Sequence, residues 1–301
     1  MATTVDRRPL ATTRGATSAP ACERIGSWHL THRIASGPAC DVYQARPVEA
    51  LPGTPPGYAL KVLRAEWNER PEALALVQRE ALVGRTVSHR HLVAVLGAQL
   101  DRPPYYVVTP WLEGATLAAH LAGGNLPPLA VALWIVRQAA EALDALDRTG
   151  WTHGDLKPAN LLLSPRLHVT LLDLGFARRK DESGSAADRF GLGTPSYLAP
   201  EAVTSQLQTD IRSDLYSLGA ILFELLTGRP PFAGNSLAEL VTAQRSEAPP
   251  RLRALRPTLP SEVADLVQAL LAKDPLRRPQ TPRELVRQLV RLEVDALGAR
   301  F

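Results

Sequence analysis

Short runs of β-branched and aromatic residues, broken by proline and glycine, fill the stretch from Trp28 to Leu63. Asp41–Ala45 and Tyr58–Val62 read as strands there, and the segment Pro47–Gly57, with four prolines and two glycines, reads as a loop. From Pro71 to about Val87 the period changes to that of a helix, with Leu74, Val77, Ala81 and Gly84 on one stripe. Strands return at about Leu92–Leu100 and Tyr105–Thr109. Beyond Gly114 the pattern is mostly helical. Pro128–Arg148 carries Leu133, Val136, Ala139, Leu143 and Leu146 at helical spacing and stops at Gly150. A short β pair is expected at Asn160–Leu163 and His168–Leu172, followed by a polar loop over about Ala177–Gly193. A strongly apolar helix follows from about Arg212 to Thr227, ended by Gly228 and Pro230. The pattern predicts an α+β chain of two lobes: a small β-rich one with one main helix over 25–112, and a larger, mostly helical one over 113–295. Residues 1–24 and 296–301 are expected to be tails.

Composition narrows the setting. The chain has 301 residues, 45% of them apolar, and a net charge of +4. That size suits two lobes sharing one chain. No stretch approaches the roughly 20 consecutive apolar residues of a membrane span. Met1 to about Arg24 lacks the apolar core of a signal peptide. The only cysteines are Cys22 and Cys40, and with one in the tail a structural disulfide is not expected. A reducing cytosol fits, as does a chain that ends soon after its last helix, so a cytoplasmic location is expected. The only lysines are Lys61, Lys157, Lys180 and Lys273, against many arginines. That bias reads as a GC-rich, bacterial source rather than nucleic-acid binding.

The candidate chemistry lies in one run, His153-Gly154-Asp155-Leu156-Lys157-Pro158-Ala159-Asn160, and in Asp173-Leu174-Gly175 thirteen residues on. Phosphoryl transfer needs phosphates held in line, their charge neutralised, and an attacking hydroxyl oriented. These segments supply a cation, carboxylates and an amide for that task. A lone Asp reads more readily as a turn cap; the whole string does not.

The two segments resemble the catalytic loop and metal-binding turn of eukaryotic-type serine/threonine protein kinases. The resemblance covers residues 27–292 and implies a bilobal protein kinase fold. It implies that Asp155 takes the proton of the acceptor hydroxyl and that Lys157 steadies the transferring phosphoryl group. Asn160 and Asp173 are the implied ligands of Mg2+. Lys61, in Ala59-Leu60-Lys61, is similar to the lysine that pairs with ATP phosphates, and Glu80 to its ion-pair partner. A solvated helix face is the plainer reading of Glu80 alone. Ile34, Gly37, Val42, Ala59, Thr109, Pro110, Leu112 and Leu162 are implied to surround the nucleotide. Proline has no N–H, so Pro110 offers only its carbonyl and Leu112 supplies the N–H. The segment Gly193-Thr194-Pro195-Ser196-Tyr197-Leu198-Ala199-Pro200-Glu201 is similar to the end of an activation segment, with Thr194 directed toward Asp155 and Lys157. Asp214 matches the aspartate that anchors the catalytic loop, and Arg278 is implied to pair with Glu201. The partners implied are proteins carrying Ser or Thr acceptors.

The chain departs from the family pattern in four respects. Where Gly-x-Gly-x-x-Gly is usual, the chain has Ala35, Gly37 and Cys40, with Pro38 between, so a stiffer turn and weaker ATP affinity are expected. Cys40 reads either as a small strand residue or as an oxidisable thiol near the phosphates. Gly154 stands where an arginine usually meets a phosphorylated activation segment, so activity independent of phosphate at Ser183 or Ser185 is expected. Leu174 replaces a phenylalanine, a mild change. Gly84 sits where a bulky apolar residue usually stacks toward Leu174, and a gap is expected there. The damaged turn and Gly84 favour an alternative reading, a pseudokinase scaffold. The His-Gly-Asp variant is also similar to small-molecule phosphotransferases, which usually lack the Ala-Pro-Glu ending and the Asp214 and Arg278 anchors.

Overall fold

The computed structural model describes residues 24–180, 182, 195–203, 209–234 and 236–298. The small lobe is an antiparallel sheet of β1 (Arg24–Ile25), β2 (Trp28–Ser36), β3 (Cys40–Pro47), β4 (Tyr58–Leu63), β5 (Gly97–Gln99) and β6 (Tyr106–Pro110), ordered β1-β2-β3-β4-β6-β5. The sheet therefore claims Arg24, which pairs with His29. One helix, α1 (Pro71–Thr86), crosses it. Strand alternation gives each face its own core. Leu30, Ala45, Leu60, Val62, Tyr106 and Val108 cluster on one side. On the other, Val107 and Leu63 meet Ala73, Val77 and Ala81 of α1.

The strand expected over Leu92–Leu100 shortens to Gly97–Gln99. Leu92 and Val93 are adjacent and both buried, which a half-buried strand does not allow. They enter the core of the large lobe instead, and Val93 N–H donates to Leu171 C=O at 3.0 Å. This segment fastens the lobes together behind the cleft.

The gap expected at Gly84 is absent. Gly84 is buried, and a Cβ placed on it would come within 2.4 Å of Val95 Cγ2. Val95 fills the space from the neighbouring segment, and Leu174 is fully buried without help from position 84. Gly84→Ala gains about 1 kcal/mol of helix propensity. Overpacking against a branched side chain costs about 1–3 kcal/mol and outweighs it. We expect Gly84→Ala to lower the denaturant midpoint in the native background and to raise it once Val95→Ala has opened the site. The same sign in both backgrounds would refute the packing account.

The large lobe is built on α3 (Leu129–Arg148) and α5 (Ile211–Thr227). Asp210 caps α5 by accepting from Arg212 N–H, and Gly228 ends it at φ +80°, a left-handed conformation that glycine adopts without strain. Leu215, Tyr216, Leu218, Ile221, Leu222 and Phe223 are all buried, so α5 is apolar around its whole circumference and lies at the centre. Helix α8 (Ser261–Leu270) packs on it, and α9 (Pro282–Gly298) packs along α3. The last helix thus extends past residue 296. Between the lobes lie β7 (Ala115–Thr116), β9 (Leu161–Leu163) and β10 (Val169–Leu171), which form a three-stranded sheet in the order β10-β9-β7. Among the described residues no helix is long and apolar enough to cross a membrane.

Candidate active site

Lys61 stands on β4 opposite Val42 of β3. Its Nζ lies 2.7 Å from Glu80 Oε2 on α1 and 2.6 Å from Asp173 Oδ1. Burial alone pushes the Lys61 ammonium toward neutrality, but the Asp173 and Glu80 carboxylates outweigh it and hold its pKa above the ordinary lysine value. Burial likewise pushes Glu80 up against the pull of Lys61. Asp173 feels the same burial, yet Lys61, His153 and Lys157 together hold its carboxyl below the usual range. Glu80 is buried at 4% exposure, which the solvated-face reading does not fit. Asp173 adopts φ +62°, and its side chain caps the turn Leu174–Phe176 through Gly175 N–H. Leu174 fills an apolar slot at that turn.

The opposite wall is the segment His153–Asn160. Asp214, on the first turn of α5, accepts from the N–H groups of His153 at 2.7 Å and Gly154 at 2.9 Å. Gly154 takes φ +76°, so the residue that replaces arginine sits where a side chain would be strained. His153 Nδ1 accepts from Asp155 N–H at 3.3 Å while its Nε2 donates to Leu172 C=O at 3.0 Å. Asp155 Oδ2 receives Lys157 Nζ at 2.7 Å and Asn160 Nδ2 at 3.1 Å, and Asn160 Nδ2 also reaches Asp155 C=O at 2.7 Å. The side chains of His153, Asp155, Lys157 and Asn160 are thus each held by a hydrogen bond to a neighbour.

The two walls enclose one cavity of about 600 Å³, within the size range of small-molecule sites. The residues expected around the nucleotide and the transferred phosphate all reach it: Ile34, Gly37, Val42, Ala59, Thr109, Pro110, Leu112 and Leu162, together with Lys61, Glu80, Asp155, Lys157, Asn160 and Asp173. Ala59 pairs with Thr109 in the sheet, and Trp111 N–H donates to Gly57 C=O, which directs the crossing between lobes. Residues Ser183, Ser185 and Thr194 lie outside the described residues.

Behind the cavity, Arg278 and Glu201 pair at 2.6 and 2.9 Å, both buried. Ser213 Oγ donates to Glu201 Oε1 at 2.7 Å, and Tyr197 OH donates to Glu224 Oε2 at 2.6 Å. These contacts tie the segment after residue 195 to α5. Sequence reading missed the contributions of His153 and of Ser36, Asp41 and Arg64, whose side chains meet at the turn between β2 and β3. His153 stood inside a quoted run. The other three carry no linear signal, because only strand pairing brings them together.

Cys40 lines the same cavity, and burial pushes its thiol up to about 11. The thiolate is the reactive form, so near neutral pH the thiol stays almost wholly in its unreactive state. This favours the small-residue reading over the oxidisable one. Iodoacetamide labelling of the Cys40 peptide, followed by mass spectrometry, is expected to rise about tenfold per pH unit through pH 10. A plateau near pH 8.5 would contradict the buried environment.

A family model described as protein kinase domain matches residues 28–290. The probable serine/threonine-protein kinase CPE1738 of Clostridium perfringens is 30% identical over 237 residues, covering 79% of this chain and 34% of its own length. Serine/threonine-protein kinase PknB of Mycobacterium tuberculosis is 34% identical over 242 residues, covering 78% and 38%. Serine/threonine-protein kinase ULK3 of Homo sapiens is 36% identical over 261 residues, covering 85% and 53%. The chain spans from about a third to about half the length of these curated relatives.

Proposed function

Because this chain belongs to the eukaryotic-type serine/threonine protein kinase family, we propose that it transfers the γ-phosphoryl group of ATP to Ser or Thr hydroxyls of protein substrates. One observation carries the reading: Lys61 of β4 and the buried Glu80 of α1 meet Asp173 of the turn after β10, and this cluster faces Asp155, Lys157 and Asn160 across a single cavity. Apolar Val42, Ala59 and Leu162 suit an adenine ring, and the polar end of the cavity suits the phosphates.

Lys61 binds phosphate oxygens and is kept cationic by its two carboxylates. Asn160 and the ionised Asp173 present oxygens of the kind Mg2+ prefers, and that ion neutralises phosphate charge when bound. Asp155 accepts the proton of the attacking hydroxyl, while Lys157, 2.7 Å from its carboxylate, stabilises charge on the transferring group. The segment is preorganised by Asp214, so little reordering is needed at the moment of transfer. Its arginine-rich composition and scarce cysteine support a cytoplasmic, bacterial setting.

The occupied space at Gly84 removes one argument for a pseudokinase scaffold. The Glu201–Arg278 pair and the Asp214 anchor favour a protein acceptor over a small-molecule one. The test is incubation of the purified chain with radiolabelled ATP, Mg2+ and either a generic protein acceptor or an aminoglycoside. Label in phosphoserine or phosphothreonine, absent in Asp155→Ala, is the expected result. Label in the aminoglycoside alone, or none above the variant, refutes the proposal.

A further inference from the structure

The turn between β2 and β3 covers the polar end of the cavity, and Ser36, Gly37, Pro38, Ala39 and Cys40 all line it. With one glycine in place of three, this turn lacks the backbone freedom to settle around a ligand. It is instead held from outside chiefly by Arg64, just past the end of β4, beside an exposed Arg33 that stands 3.9 Å from Asp41 Oδ2. Arg64 N–H donates to Ala39 C=O at 3.0 Å. Its Nε donates to Asp41 Oδ1 at 3.2 Å, and its second terminal nitrogen donates to Ser36 Oγ. Ser36 Oγ closes the set by donating to Asp41 Oδ1 at 2.7 Å. Ser36 is the last residue of β2 and Asp41 the second of β3, so one guanidinium grips both limbs of the turn. From inside, the buried Ala39 methyl packs with Leu63 and with Ala73, Val77 and Ala81 of α1. Gly37 N–H donates to Cys40 C=O at 2.8 Å across the turn itself.

We propose that Arg64, acting through Ser36 and Asp41, is a positioning residue that presets the phosphate-covering turn. The inference rests on the ATP-dependent reading of the cavity and deepens it. A turn already in place has less conformational freedom to lose when nucleotide binds, and this offsets the missing glycines. The planar fork of arginine suits the task, because two of its nitrogens serve Asp41 and Ser36 in one fixed geometry, which a flexible ammonium does not preset. The clamp touches neither Asp155 nor the transferred group, so it acts on nucleotide affinity and leaves the chemical step alone.

The test uses the full chain and MgATP binding measured by calorimetry, with hydrogen exchange of the peptide containing residues 36–41 as an independent readout. For Arg64→Ala we expect Kd and KM for MgATP to rise about tenfold, 1.4 kcal/mol at 25 °C. The turn amides should exchange faster without nucleotide, and kcat at saturating ATP should stay unchanged. Arg64→Lys should fall between the two. Ser36→Ala, at an exposed position that leaves Arg64 in place, serves where Arg64→Ala does not fold. It should raise Kd in the same direction by a smaller factor. Unchanged Kd and unchanged exchange in a folded variant overturn the proposal, and so does a fall in kcat with Kd unmoved. Failure of the native chain to bind MgATP sinks the kinase reading instead, and the exchange arm still decides whether Arg64 holds the turn.

Discussion

Replacing Asp155 with Ala is expected to lower kcat by about two to four orders of magnitude, the range for removing a positioned general base. Asp155 is 8% exposed, and its carboxylate is fixed by Lys157 and Asn160. Its contribution belongs to the transition state, where the hydroxyl proton is in flight. Accordingly kcat and kcat/KM should fall together, with little change in the Kd for MgATP. Asp155→Asn keeps an oxygen toward Lys157 and should fall nearly as far, because a neutral amide does not accept the proton. Steady-state phosphate transfer, with nucleotide affinity measured in parallel, decides the matter. A variant with kcat within tenfold of the native chain, or one that loses MgATP affinity in proportion, would remove Asp155 from the chemical role.

Replacing Arg278 with Ala is expected to destabilise the fold by about 3–5 kcal/mol, the usual cost of stranding one partner of a buried ion pair. The Arg278 side chain is fully buried and makes two bonds to Glu201, one to Ala272 C=O and one to Arg212 C=O, and it stacks over Tyr216 at 4.9 Å. Removing it leaves the Glu201 carboxylate, bonded to Ser213, without its cation. At about 2–4 °C per kcal/mol for a domain of this size, the melting temperature should drop by roughly 10 °C. Arg278→Lys should recover only part of the loss, since an ammonium does not reproduce the paired bonds. The double variant Arg278→Met/Glu201→Leu should recover most of it, because a buried pair costs much of its attraction in desolvation. Chemical denaturation that finds Arg278→Ala within 1 kcal/mol of the native chain would show that the pair is not a structural anchor.

Much of the candidate site was legible because its parts are close in sequence or carried by unusual residues. Asp155, Lys157 and Asn160 fall within six positions, and Lys61 and Lys157 are two of only four lysines. Helices α1, α3 and α5 were readable from apolar spacing, because a helix that buries one face must repeat it every 3.6 residues, and α3 and α5 also from the glycines that follow them. The expected strand over Leu92–Leu100 failed where adjacent residues are buried together, since alternation marks a strand only while one face stays wet.

The amino-acid sequence by itself determined the main helices, most of the strands, and which short string carries the acidic and cationic groups. Those properties depend on neighbours a few positions away. Only the tertiary structure decided that Val95 occupies the room Gly84 leaves and that Arg64 grips the turn between β2 and β3. Such contacts depend on strand register and on how closely helices approach. A slip of one residue in register turns every side chain to the other face. No local pattern encodes that choice; the packing of the whole core selects it.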